Sequence, residues 1–318
     1  MTPVACPREI HRRAYLAASA GLMGSFVLSS AYAQPARVKT SSWIDAHVHI
    51  WPSYSREYPL ADGFGPEVMQ PQSFTTEQLF EQSRPSGVSR IVLIQMNFFG
   101  FDNRYMLDAI ARHPGTFSGV AVIDHERLDL KDEMARLRPL GVRGFRIYAT
   151  ADNVNRWLTS AAMADMFSCA AEHGQAMCML ADPDALGDIE ILCSRHSDTT
   201  IVIDHFARIG MRHPPTEEEI MQLCRLARFP KVFVKTSAFY ALGRKSPPYY
   251  DLLPLIRRLI EAFGSDRLMW ASDCPYQVES PHTYEGSIAL IRDHLDQIGD
   301  ADRQNLLRKT AETVFFGA

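Results

Sequence analysis

Three histidines and one aspartate in this chain, His47, His49, His205 and Asp273, have the types and settings that hydrolytic chemistry needs. His47 and His49 lie two apart in WIDAHVHIW, so an extended backbone points both imidazoles to one face. Such a pair can ligate a divalent ion, or donate hydrogen bonds to a carbonyl oxygen that is gaining charge. His205 ends the apolar run IVIDH. Asp273 ends RLMWASD, where a carboxylate can serve as general base toward water or a metal-bound hydroxide. Each alone has an ordinary explanation: a pair of turn histidines, a satisfied core histidine, a turn-opening aspartate ahead of Pro275. Their joint meaning depends on the elements that position them.

After residue 40, short β-rich apolar runs alternate with longer amphipathic segments. Strands are predicted at Ser42 to Ala46, Arg90 to Gln95, Ser118 to Ile123, Arg143 to Ile147, Gln175 to Met179, Thr200 to Asp204, Val232 to Lys235 and Arg267 to Ala271. Helical patterns lie near Thr76 to Ser86, Asn103 to His113, Leu128 to Leu137, Ala161 to Glu172, Asp184 to His196, Thr216 to Ala227, Tyr250 to Phe263 and His282 to Gln297. Strand-then-helix repetition of this kind, with no Gly-rich phosphate turn after the first strand, predicts a closed α/β barrel, a (β/α)8 TIM barrel in one domain. In that fold, residues just after a strand sit at the mouth, and strands one and eight are neighbours, so all four polar residues can converge. Two long connections, Ile50 to Thr75 and Tyr240 to Tyr249, are expected to wall or cover the pocket.

Arg143 and Arg146 lie three apart on the predicted fourth strand, on opposite faces, and Arg146 is expected to face inward. A guanidinium there would bind a carboxylate or sulfonate; the plain alternative is an ion pair with Asp204 or a loop acid. Tyr148, Tyr240, Trp51 and Tyr54 are candidate lining aromatics, and Lys235 reads as a rim charge paired with a carboxylate.

The first residues differ from the rest. Arg8, Arg12 and Arg13 precede an apolar, small-residue run ending in Ala31-Tyr32-Ala33, the layout of a cleavable signal peptide over residues 1–33, twin-arginine-like in its paired arginines. The expected product is an exported, periplasmic barrel over residues 34–318, without stable membrane insertion. Taking Arg8, Arg12, Arg13 and Glu9 from 33 basic and 37 acidic residues leaves 30 and 36, a net of −6 that offers no nucleic-acid surface. Cys169, Cys178, Cys193, Cys224 and Cys274 have no C-x-x-C pair and no regular spacing, and read as small core residues. The oligomeric state stays open, with a homo-oligomer among the options.

WIDAHVHIW, GVRGFRIY, IVIDHFARIG, KVFVKTS and RLMWASDCPY together resemble the amidohydrolase-2 group of the amidohydrolase superfamily, over most of residues 42 to 280. NFFGFDNRYMLDAI is similar to the matching stretch of its pyrone-dicarboxylate lactonase and sulfomuconolactone hydrolase members. The resemblance implies hydrolysis of a small anionic lactone, with His47, His49 and His205 around the carbonyl and Asp273 activating water. It also makes Arg208 a substrate arginine and Asn103 a ligand contact, although Asn103 is equally explained as a helix cap. The usual metal histidine of strand five is missing from QAMCMLADP, so a two-metal centre is not expected. One Zn2+ or Mn2+ on His47, His49, His205 and Asp273 and a metal-free mechanism both remain open. The rivals are a metal-dependent amidase or aromatic-acid decarboxylase on the same site, which Asp45 does not separate, and a periplasmic solute-binding protein on a disabled barrel.

Overall fold

The structure, a computed structural model, describes residues 42–317; the expected signal peptide at residues 1–33 lies outside the described residues. The strands are β1 (Trp43–Val48), β2 (Val88–Ile94), β3 (Phe117–Ala121), β4 (Val142–Ala149), β5 (Ala176–Ala181), β6 (Ile201–Ile203), β7 (Val232–Thr236) and β8 (Leu268–Trp270). Each pairs in parallel with the next, so spatial order is chain order, and every predicted strand is present with ends shifted by at most two residues. The outer layer holds α1 (Thr76–Ser83), α2 (Arg104–Arg112), α3 (Leu130–Leu137), α4 (Ala151–Trp157), α5 (Ala161–His173), α6 (Leu186–Arg195), α7 (Glu217–Arg225), α8 (Leu253–Phe263) and α9 (Tyr284–Arg292). Of these, α4 was not expected, and α9 stops well short of Gln297. No described helix is long and apolar enough to cross a membrane.

Alternation along the strands divides the core in two. Val92, Val120, Cys178, Val202 and Met269 face the barrel interior, while Ile91, Phe145, Ile203 and Val234 face the helices. Two further helices, α10 (Asp300–Gln304) and α11 (Thr310–Phe315), follow α9, and Ala311 and Phe315 of α11 pack into the interior cluster. Phe315 also lies beside Phe117 and Gly141 at the N-terminal strand ends, so α11 plugs the floor and leaves the opposite end for the site. Among the described residues four cysteines are buried and Cys224 is half-buried, all with free thiols.

The seam between β8 and β1 is short. A parallel bridge joins Val48 to Cys274, with His49 N donating to Cys274 O at 2.8 Å and Asp273 N to His47 O at 2.9 Å. Asp45 supplies the rest, accepting from Ser272 N at 2.9 Å, His47 N at 3.1 Å and the Tyr284 hydroxyl at 2.7 Å. Burial pushes its carboxyl up to about 6, against these donors. Asp45 therefore closes the barrel and takes no part in the pocket. Asp45→Ala leaves two backbone N–H groups and a hydroxyl unpaired and is expected to cost about 3 kcal/mol of stability. Asp45→Asn keeps the acceptor for both N–H groups and is expected to cost about 1 kcal/mol, which chemical denaturation of the two variants would check.

Candidate active site

At the end of β1 the register with β2 slips: Asp45 pairs with Ile91 and Val48 with Leu93, three residues against two. This bulge lets Ala46 face the interior, Val48 face the helices, and His47 and His49 both turn inward. Their Nε2 atoms are 3.3 Å apart. Asp273 follows β8 with φ +66°, a left-handed conformation that swings its carboxylate back over the strand end. Asp273 Oδ1 lies 3.5 Å from His47 Nε2 and 3.4 Å from His49 Nε2, and Oδ2 is 3.8 Å from His205 Nε2.

His205 arrives by an unusual backbone. His205, Phe206, Ala207 and Arg208 have φ from +52° to +57°, one turn of left-handed helix without a glycine. For L-residues this costs about 1–2 kcal/mol each, and packing must hold it. Phe206 and Ala207 are fully buried, His205 is hydrogen-bonded through Nδ1 to Ser237 Oγ at 2.8 Å, and Arg208 donates to Ala181 O at 3.2 Å.

The four expected residues thus come together, with His49, His205 and Asp273 lining a cavity of about 230 Å3. His47, fully buried, lies beneath. Arg146 and Tyr148 of β4 form one wall and are shared with a second cavity of about 580 Å3 on the same rim. Arg143 points away, donating to Arg138 O. Arg208 lines the cavity, but its charge is met by Asp182 at 2.7 Å. Asn103 stands at the N-cap of α2 without a side-chain capping hydrogen bond, and it does not line the cavity, a correction to its reading as a ligand contact. Its amide bonds Phe101 O, Val122 O and Val122 N, tying the start of α2 to the end of β3. The loop from Ile50 to Thr75 supplies no lining residue, because Trp51 is buried and folds it back against Phe74 and Pro71, and Tyr54 is exposed. The other long loop does contribute, through Tyr240 and Leu242.

Two residues named from the sequence have partners it did not specify. Tyr240 donates to Asp273 Oδ2 at 2.7 Å; burial and that carboxylate push its hydroxyl far above the usual range, so it stays a donor. Tyr240 lines the cavity as one of the expected aromatics, and its bond to Asp273 is what the sequence did not show. Lys235, read as a rim charge, is fully buried in the barrel, 2.9 Å from Asp204 Oδ1 and 3.1 Å from His47 Nδ1. Inward alternation with Phe233 was the available signal.

Charge states follow from burial. Burial alone would raise Asp273, but His205, His49 and His47 hold it well below the usual carboxylate range, ionised at neutral pH. Burial pushes His205 down to about 4, and burial and then Lys235 push His47 well below 6.5. His49 Nδ1 faces Ile94 O at 2.8 Å and must carry the proton, which leaves Nε2 a lone pair. His47 Nε2 lies 3.1 Å from the guanidinium of Arg146, and its Nδ1 lies 3.1 Å from the ammonium of Lys235. A ring nitrogen of each of His47 and His49 and a carboxylate oxygen of Asp273 converge, all within 4.8 Å of one another. That donor set fits one divalent cation, and the Ile94 carbonyl orients one ligand as outer-shell acceptors do. It fits direct donation to a carbonyl poorly, since His49 spends its Nδ1 proton on Ile94 O and His47 does not line the cavity.

The sequence model described as amidohydrolase matches residues 44–317. An L-fucono-1,5-lactonase of Burkholderia ambifaria is 28% identical over 236 residues, 73% of this chain and 80% of its own. A 4-sulfomuconolactone hydrolase of Hydrogenophaga intermedia is 28% identical over 247 residues, 74% and 75% of the two chains. A solved candidate 2-pyrone-4,6-dicarboxylic acid hydrolase of Pseudomonas putida superposes with a TM-score of 0.69 at 28% identity, covering 86% of this chain and 97% of that one. The family match runs from β1 through α11 and takes in every residue of the cluster, and the chain belongs to the amidohydrolase family.

Proposed function

We propose that the protein hydrolyses a small anionic lactone. One observation carries this reading: an ionised, buried carboxylate, Asp273, ends a small cavity whose wall is a buried guanidinium, Arg146, with no carboxylate within 4 Å among the described residues. Likeness to enzymes named for fucono- and sulfomuconolactone supports the bond type. The smaller cavity suits one ring, and the neighbouring one leaves room for a substituent passing Arg146 and Tyr148.

In this reading the substrate's acid group pairs with Arg146, which turns the lactone carbonyl toward the histidines. Tyr240 fixes Asp273 through Oδ2, leaving Oδ1 to accept a proton from the attacking water. The water oxygen bonds to the carbonyl carbon, the ring C–O bond breaks, and the proton on Asp273 passes to the departing ring oxygen. His47, His49 and Asp273 are the residues that would hold a Zn2+ or Mn2+, which when bound supplies Lewis-acid polarisation of the carbonyl.

Metal analysis of the purified protein before and after chelation, with a panel of anionic lactones and their neutral counterparts, tests both parts. The expected result is about one divalent ion per chain and lactone opening that is lost on chelation and restored by Zn2+ or Mn2+. Chelator-resistant opening would remove the cation and keep the lactonase. No turnover across the panel would sink the proposal.

A further inference from the structure

Of the strand-to-strand connections among the described residues, only that between β4 and β5 holds two α-helices, α4 and α5. Thr150 caps α4, accepting from Asn153 N at 3.3 Å, and Asn153 donates in turn from Nδ2 to Tyr148 O at 2.7 Å, which folds α4 back over the end of β4. The added helix therefore lies on the mouth side, where connections shape specificity. Its Asn153, Arg156 and Trp157 line the cavity of about 580 Å3 beside the one that holds Asp273. Asn97, Arg146 and Tyr148 line both cavities, so the two meet at one guanidinium.

The larger cavity suits a neutral ring rather than a second acid. Val122, Ile123, Ile147, Met163 and Trp157 line it, each less than a tenth exposed, and Phe101 adds an aromatic side chain that is 59% exposed. The charged lining, Arg156 and Glu126, is exposed and of opposite sign, and Arg156 already donates to Asn153 Oδ1, so neither sign of substituent is favoured there. An apolar cavity of about 150 Å3 holds one benzene, so 580 Å3 leaves room for a ring and the bonds that attach it. Flat aromatic rings gain more from Trp and Phe side chains than their buried area alone supplies.

We propose that the larger cavity is a subsite for an aromatic ring that the substrate carries beside its acid group. The lactone ring enters the smaller cavity, the acid group meets Arg146 at the junction, and the aromatic ring reaches Trp157 and Phe101. The preferred substrate class is then an aryl-substituted acidic lactone. Trp157 and Phe101 determine specificity from outside the reacting centre, since neither lines the cavity that holds Asp273. The kinetic part of this inference rests on the lactonase reading; the binding part does not.

The test compares two lactones on the full chain: paraconate, a γ-butyrolactone bearing a carboxylate, and its γ-phenyl derivative. Wild type is expected to favour the phenyl lactone by about 10- to 100-fold in kcat/KM, chiefly through KM, as burial of one ring allows. Trp157→Leu is expected to abolish most of that preference, and Phe101→Ala to cut it several-fold. Trp157 also packs in the core, so the exposed Phe101 keeps the test open if Trp157→Leu fails to fold. A wild type that opens both lactones equally well, or a preference that Phe101→Ala and Trp157→Leu both retain, overturns the subsite and leaves the lactonase standing. If wild type opens neither lactone, the lactonase reading fails and binding decides. Phenylpropionate is then expected to bind at least about 10-fold more tightly than propionate and to quench tryptophan emission, with the quenching lost in Trp157→Phe. Equal affinities, or quenching that survives Trp157→Phe, overturn the subsite.

Discussion

Asp273→Asn is expected to lower kcat for lactone opening by about 10^3-fold while leaving the fold intact. In the proposed mechanism this carboxylate is the base, and Asn offers no site for the proton that water must lose. The backbone argues for Asn over Ala as the probe. Asp273 sits at φ +66°, a conformation in which Asn is among the better-tolerated residues, while Ala has no side chain to bond locally. The Tyr240 hydroxyl, now a donor to Oδ2, can accept from an amide instead. Thermal unfolding should therefore move little, and steady-state kinetics on a lactone that the wild type opens should show the loss in kcat. About a tenth of wild-type turnover surviving would remove Asp273 as proton acceptor, since general-base loss costs about 100-fold or more.

The barrel was readable because its signals are local and periodic. Runs such as IVIDH and RLMWASD are apolar up to a polar end, the pattern of a strand buried on both faces that stops at a functional rim. That pattern put His47, His49, His205 and Asp273 at one end of the molecule before any coordinates. What escaped depends on pairings across the barrel. Lys235 had the right alternation to point inward, but a buried lysine is rare unless paired, and its partner Asp204 lies on another strand. The left-handed turn from His205 to Arg208 contains no glycine to announce it. Asn103 carries the type of a helix cap or ligand; it does stand at the N-cap of α2, but its side chain is consumed by the backbone of Val122, a contact made across 19 residues of chain. The floor plug escaped because α10 opens on the polar run DADRQ, and its continuation shows apolar residues at Leu306, Leu307, Ala311 and Phe315, too sparse to stand out.

Arg146→Met is expected to do two opposite things, to weaken catalysis on anionic substrates and to stabilise the protein without ligand. Arg146 is 7% exposed, Nε has no acceptor, and Nη1 meets only the imidazole of His47. The Tyr148 ring, 5.6 Å from Cζ, offers partial compensation. A buried guanidinium without its counter-ion is costly, and a Met of comparable reach removes the charge while keeping much of the packing. The melting temperature of ligand-free Arg146→Met should accordingly rise. For a lactone bearing a carboxylate or sulfonate, kcat/KM should fall by about 100-fold, or about 3 kcal/mol, as for one partner lost from a desolvated charge pair. Against a neutral lactone with the same ring the variant should approach wild type, which separates substrate recognition from the contact to His47. Arg208 supplies the contrast: Asp182 at 2.7 Å already meets its charge, so Arg208→Met should cost less on the anionic substrate and should not stabilise the fold. Equal losses on charged and neutral lactones would mean that Arg146 serves His47 rather than the substrate, and the anionic specificity would then fall while the hydrolytic machinery around Asp273 stands.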